Sequence, residues 1–177
     1  DGRGNTPIIA HTHLGNLYLA QGDLAHAIRV FDQGLALCRA SSNRSGFSRR
    51  IVAGLGAAYA LQGRLTEGRA LVEEAISEDR RMGAVQNLAS RVAWLSEVWR
   101  LAGRGAEAGQ HARQALDLAQ QQKARGEEVL ALHQLGVVHA HSNPSDVAQA
   151  EAHYRQALAL AEALGMRPLI AHCHHGL

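Results

Sequence analysis

The chain has 177 residues, 46% of them hydrophobic but only 4% aromatic, enough apolar material for one ordinary domain with a core. Its formal net charge is +2 with histidine neutral, which supplies no strong field for nucleic acid or an anionic membrane. Cys38 and Cys173 stand far apart, make no disulfide framework and suit a reducing, cytoplasmic setting, and the longest apolar stretch, around 51–61, is too short to span a bilayer. No leader pattern is visible, and the chain opens at Asp1 without Met; a fragment of a longer protein is expected.

Proline occurs only at Pro7, Pro144 and Pro168, so long stretches are open to helix. Leu14-Gly15-x-x-Tyr18, followed by Gly22, marks a first helix near 7–21 and a turn. A second helix is expected near 24–40, with Ala27, Phe31 and Gly34 on its buried face. The pattern returns as Leu55-Gly56-x-x-Tyr59 with Gly63, predicting helices near 48–62 and 65–80. It returns again as Leu95-Ser96-x-x-Trp99 with Gly103, for helices near 86–102 and 105–123. Leu135-Gly136-x-x-His139, followed by Asn143, predicts helices near 127–141 and 146–164, with a two-residue insertion near Pro144. A ninth helix opens at Arg167-Pro168-Leu169, proline in its first turn.

The signature positions Gly15, Gly56, Ser96 and Gly136 recur every 40 or 41 residues, and periodicity on this scale means stacked structural repeats. The small signature residue lets a partner helix approach closely, and Leu, the small residue and the aromatic are expected to face the core. Gly46, Gly83, Gly126 and Gly165 are expected to end the second helices in the left-handed position. The whole chain is read as a single repeat domain, with units near 7–46, 47–84, 85–126 and 127–165 and a partial fifth at 166–177. The expected fold is all-α: a right-handed superhelical solenoid of antiparallel helix pairs.

At these residues the sequence resembles the tetratricopeptide repeat, whose pattern has Leu, Gly and an aromatic in the first helix and Ala, an aromatic and Ala in the second. The period is about 40 rather than the family's 34, as in kinesin-light-chain repeats or those of maltose-regulator-type activators. His11, Val52, Val92 and Leu132 occupy the first-helix Trp position, and the final Pro of the motif is missing. The tail from Ala157 to Leu177 looks like repeat arrays of large bacterial signalling proteins with an ATPase module and a cyclase or DNA-binding output domain. The resemblance implies a non-enzymatic scaffold that binds a protein or peptide in a concave groove lined by first helices, with no cofactor. A groove that senses a small effector and passes a change of curvature to an output domain is the alternative.

Carried onto this chain, the family's groove positions are Ile9, Thr12, Asn16, Leu19 and Ala20, then Arg50, Ala53, Ala57, Ala60 and Leu61. The third and fourth units supply Ser90, Ala93, Glu97, Arg100 and Leu101, then Leu130, His133, Val137, Ala140 and His141, with His172 and His175 from the partial fifth. The expected partner-binding residues are Thr12, Asn16, Arg50, Glu97, Arg100, His133, Val137, His141, His172 and His175. Asn16 suits a peptide backbone. Arg50 and Arg100 suit a carboxylate, unless Glu97 and Arg100, three residues apart, pair with each other.

His172-Cys173-His174-His175 raises a zinc reading, with His133 facing it, but Cys173 points away from His175 and no second cysteine closes a site; no metal is expected. No phosphate loop, nucleophile elbow or His-Glu-x-x-His is present. Arg44, Arg49 and Arg50, and Arg80 and Arg81, fall at unit junctions and helix ends, a weak basis for nucleic acid. Self-association through the open C-terminal end is expected.

Overall fold

The structure is a computed structural model and describes residues 6–40, 46–142 and 146–177. Among the described residues there are nine helices: α1 (Thr6–Ala20), α2 (Leu24–Ala40), α3 (Gly46–Leu61), α4 (Leu65–Arg81), α5 (Leu88–Leu101), α6 (Gly105–Gln121), α7 (Arg125–Ser142), α8 (Val147–Leu164) and α9 (Arg167–Gly176). The all-α, helix-pair repeat architecture is the expected one. None of these helices is long and apolar enough to cross a membrane. The expected turn at Asn143 and insertion at Pro144, like Arg44, lie outside the described residues.

The chain divides into two compact units, Asp1–Gly83 and Ala84–Leu177. In the first, α1 packs on α2 and α3 on α4, while α2 and α1 both touch α3. In the second, α5 pairs with α6 and α7 with α8, α6 bridges to α7, α8 to α9, and α5, α7 and α9 lie side by side. α3 and α7 are therefore each wedged between their own second helix and the one before it, which is how a repeat buries a face it cannot bury alone.

The cores follow the repeat. In the first unit Ile8, Ala27, Phe31, Cys38, Ile51 and Leu55 are buried together. In the second, Ala108 and Ala112 of α6 meet Leu135 and Val138 of α7, and Val129, Leu132, Ala157, Ala161 and Cys173 close the C-terminal end. The signature small residue sits where two helices come closest: a Cβ on Gly56 would lie 2.7 Å from the Gly68 carbonyl oxygen. Where the signature residue is Ser96, its hydroxyl donates to the Ala108 carbonyl at 2.7 Å, converting the close approach into a hydrogen bond.

The large residues of the second helices seat in gaps left by glycine. Phe31 of α2 lies against Gly15 of α1 and Gly54 of α3; Tyr154 of α8 lies against Gly136 of α7 and Gly176 of α9. Gly54 and Gly176 occupy the same repeat position, two residues before the signature. At the corresponding places in the α6–α7 pair stand Ala112 and Gln134, so a small residue on one side accompanies a large one on the other.

Three local expectations are corrected. Gly46 and Gly126 do not terminate second helices; they lie in the first turns of α3 and α7, and the left-handed position after α6 is taken by Lys123 at φ 54°. Gly83 and Gly165 do take positive φ, 62° and 67°. The signature Leu is buried in α3, α5 and α7, but Leu14 of α1 is 42% exposed. The aromatic position is half-buried rather than core, because the start of the following helix lays a polar side chain over it: His26 on Tyr18, Arg64 on Tyr59 at 3.6 Å, Arg104 on Trp99 at 5.5 Å. Each lid is held by an acid three residues away, Asp23, Glu67 or Glu107. In the fourth repeat His139 instead stacks on His153, rings parallel to within 4°.

Candidate partner-binding faces

In the first unit the expected groove positions lie on α1 and α3. Ala53, Ala57 and Ala60 of α3 are buried and offer a partner almost no surface. Thr12 offers a partner nothing here: it is 1% exposed and its hydroxyl donates to the Ile8 carbonyl at 2.8 Å, a bond back into its own helix. Asn16 is half-buried, and its Oδ1 accepts no hydrogen bond from a described residue. Arg50 is half-buried with its guanidinium 5.4 Å from the centre of the Phe47 ring on the same helix. Its neighbour Arg49 turns the other way and donates to Asp79 of α4 at 2.6 Å, a pair buried on the Asp79 side to 1% exposure.

The second unit gathers more. Glu97 of α5 accepts two hydrogen bonds from Arg100, at 2.8 and 2.6 Å, and a third from Gln134 Nε2 of α7 at 2.8 Å. Burial pushes the Glu97 carboxyl up, but the bonds from Arg100 and Gln134 outweigh it and hold it below the usual carboxylate value. Arg100 is thus a paired cation: its fork is occupied by Glu97, and a partner acid would meet a neutralised couple. A guanidinium has five N–H donors, so those not spent on Glu97 remain to meet a neutral acceptor such as a peptide carbonyl.

Beside this couple, His133 of α7 sits 5.9 Å from the His172 ring of α9 and 5.6 Å from the Tyr154 ring. Burial, then electrostatic interaction with the neighbouring His172, depress His133 to about 4, against the opposing pull of Glu97 and a backbone hydrogen bond at His172. His133 is therefore neutral at physiological pH. Val137, four residues further along α7, is half-buried, and His141 is exposed with Nδ1–H donating to the Val137 carbonyl at 2.8 Å. His172 and His175 are exposed on α9. Cys173 between them is fully buried, and burial pushes its thiol up, away from the thiolate form a metal needs. No group of three or more metal-ligating side chains is assembled among the described residues.

Of the ten sequence-predicted residues, Glu97, Arg100, His133 and His172 come together on the α5–α7–α9 side, with Val137 one turn along. Thr12, Asn16 and Arg50 belong to the other unit. Sequence reasoning missed Gln134 and Tyr154, which complete the cluster. Gln134 stands at the repeat position where Gly54 and Gly176 stand, so its departure from glycine was the available signal.

A tetratricopeptide-repeat family model matches residues 12–45. No curated protein matches the chain. Among solved structures, the chain is similar to BtubC (BKLC) from P. vanneervenii, with a TM-score of 0.61 and 17% identity over 85% of this chain and 60% of that one. It is also similar to two structures of nearly identical TPR-like repeats of a putative kinesin light chain from Podosopora anserina. These have TM-scores of 0.62, identities of 17% and 16%, and cover 89% and 96% of this chain and 76% and 95% of theirs. The chain thus spans less than two thirds of BtubC. At such identities the likeness is one of fold.

Proposed function

From the tetratricopeptide-repeat match at residues 12–45 and the TPR-like fold, we propose that the chain is a protein-interaction scaffold whose first-helix faces hold a peptide segment, with the face of α5, α7 and α9 as the principal site. One observation carries this reading: Glu97, Arg100 and Gln134 form a pre-bonded donor–acceptor couple beside the neutral His133 and the exposed His172. Such a couple is already held in place, so binding a peptide amide costs little further ordering. It favours backbone amides and neutral polar side chains over acids, because Arg100 is charge-compensated. Asn16 and Arg50 form a second, weaker contact set in the first unit. The finer role, as the regulatory arm of a larger bacterial signalling protein, rests on the likeness of the 157–177 tail to arrays in such proteins.

The test is a displayed-peptide selection against the chain, followed by affinities for Arg100→Met, Gln134→Ala and His172→Ala. A loss of tenfold or more for at least two of the three supports the site. Selected peptides that bind all three variants unchanged would remove it.

A further inference from the structure

Three repeats lay a polar side chain over the aromatic position of the first helix, and in two of them that lid is permanently charged. Arg64 over Tyr59 is held by Glu67, and Arg104 over Trp99 by Glu107. In the first repeat His26 lies against Tyr18, with the Asp23 carboxylate 2.8 Å away. The fourth repeat is built differently: imidazoles supply both the covered ring and the cover. His139 of α7 and His153 of α8 stack with centroids 5.2 Å apart and planes within 4°.

The surroundings of the stack hold one carboxylate and a further cation. His139 is 15% exposed, and its Nδ1 lies 3.8 Å from Oδ2 of Asp146, the residue before α8. His153 uses its Nδ1–H to donate to the Gln149 carbonyl at 2.7 Å. Arg113 of α6 acts on His139 from the neighbouring helix. Burial, then His153 and Arg113, hold His139 below the ordinary histidine value, against the pull of Asp146. Asp146 can compensate one proton on the pair. A second proton would set two imidazolium rings face to face beside Arg113, with a single carboxylate to balance three cations. Histidines so close titrate as a coupled pair, in the pH range where small changes of acidity matter to a cell.

We propose that the His139–His153 stack is an acid-sensitive joint between α7 and α8: neutral rings hold the turn end of this helix pair closed, and protonation of both drives them apart and loosens it. The sign follows from His139. It takes up a proton less readily in the folded chain than in the unfolded one, where histidine titrates near 6.5. Its contribution to stability is complete above that pH and is lost progressively as the pH falls below it. The joint uses none of the residues of the face proposed for peptides, so the two readings stand or fall separately.

The test is amide hydrogen exchange of the whole chain, read by NMR at about pH 7.5 and about pH 5.5 and corrected for the intrinsic rate. Exchange at Glu151, Ala152 and His153 is taken as a ratio to that of α5, which removes the loss of protection that His133 spreads over the unit. In the parent this ratio should rise at least fivefold on acidification, and the cross-peaks between the two imidazole rings should disappear. His139→Tyr, which restores the aromatic of the first two repeats, and His153→Gln should each keep the ratio within twofold; either variant suffices if the other fails to fold. Asp146→Asn should move the opening to lower pH, because the first proton loses its carboxylate. A ratio that stays flat in the parent, rings still stacked at the lower pH, the same rise in a folded His139 or His153 variant, or a midpoint indifferent to Asp146→Asn overturns the proposal.

Discussion

At Gly54 and Gly136 there is room for a hydrogen and nothing larger, since the Phe31 and Tyr154 rings lie 2.5 and 2.7 Å from where a methyl carbon would go. Gly54→Ala should therefore lower stability by about 1–3 kcal/mol through overpacking. Pairing it with Phe31→Val should restore part of the loss, a non-additivity that denaturant melts of the four species would read. His133 makes a pH-dependent contribution of definite sign. The unfolded chain binds the proton near 6.5, the folded one only near 4. Stability from this group is complete above pH 6.5 and drains away as the pH falls toward 4, by up to about 3 kcal/mol. Glu97, also depressed, loses its share only below the ordinary glutamate value of 4.5, at the acid end of that window. Urea unfolding of His133→Gln should show a flatter profile between pH 6.5 and 4.5; a slope equal to the parent's would place the titration elsewhere. At this scale the signature residues were legible because they recur. Gly54 was not, because its role depends on the size of Phe31, 23 residues away, and no spacing rule links the two.

Helix ends depend on side chains from distant segments. Glu127 of α7 accepts hydrogen bonds from the backbone N–H groups of Asn87 and Ser90, at 3.1 and 3.0 Å, and so serves the start of α5 across the repeat. Those donors have no partner within the helix, and the carboxylate also suits the positive end of its dipole. Glu127→Ala should cost about 1–2 kcal/mol and raise amide exchange at Asn87 and Ser90 first. Arg49 and Asp79 tie α3 to α4 in the same long-range manner. Replacing Arg49 by Met removes the charge that compensates Asp79 and should cost about 3–5 kcal/mol, with most of it recovered in Arg49→Met/Asp79→Leu. Melting temperatures of the single and double variants check this. Helix existence and position were readable to within a few residues, since small and apolar residues recur at fixed offsets. The stops after α2 and α6 were misread at Gly46 and Gly126 because a glycine signals a break without saying on which side of it the next helix begins. Glu97 with Arg100 was readable as a local pair, whereas the third bond from Gln134 required knowing that α5 and α7 lie side by side.

In a molecule built of repeats, a local injury stays local, because each repeat leans only on its neighbours. Gly54→Ala should thus raise hydrogen exchange in α1 through α3 well before α7 through α9, and Gly136→Ala should do the reverse. Equal loss of protection throughout would show a single cooperative block instead. The paired sizes at the repeat junctions carry a further consequence, for how such a chain is lengthened or recombined. Phe31 with Gly54 and Tyr154 with Gly176 are two instances of one coupling, so α3 and α9 are interchangeable successors to α2 and α8. Ala112 with Gln134 belongs to a different coupling. A duplication or graft that joins like to like inherits a packed joint. One that sets an aromatic helix before Gln134 inherits a collision. Pairs of single residues thereby act as the grammar of repeat order, permitting some rearrangements of the gene and excluding others before any partner is bound.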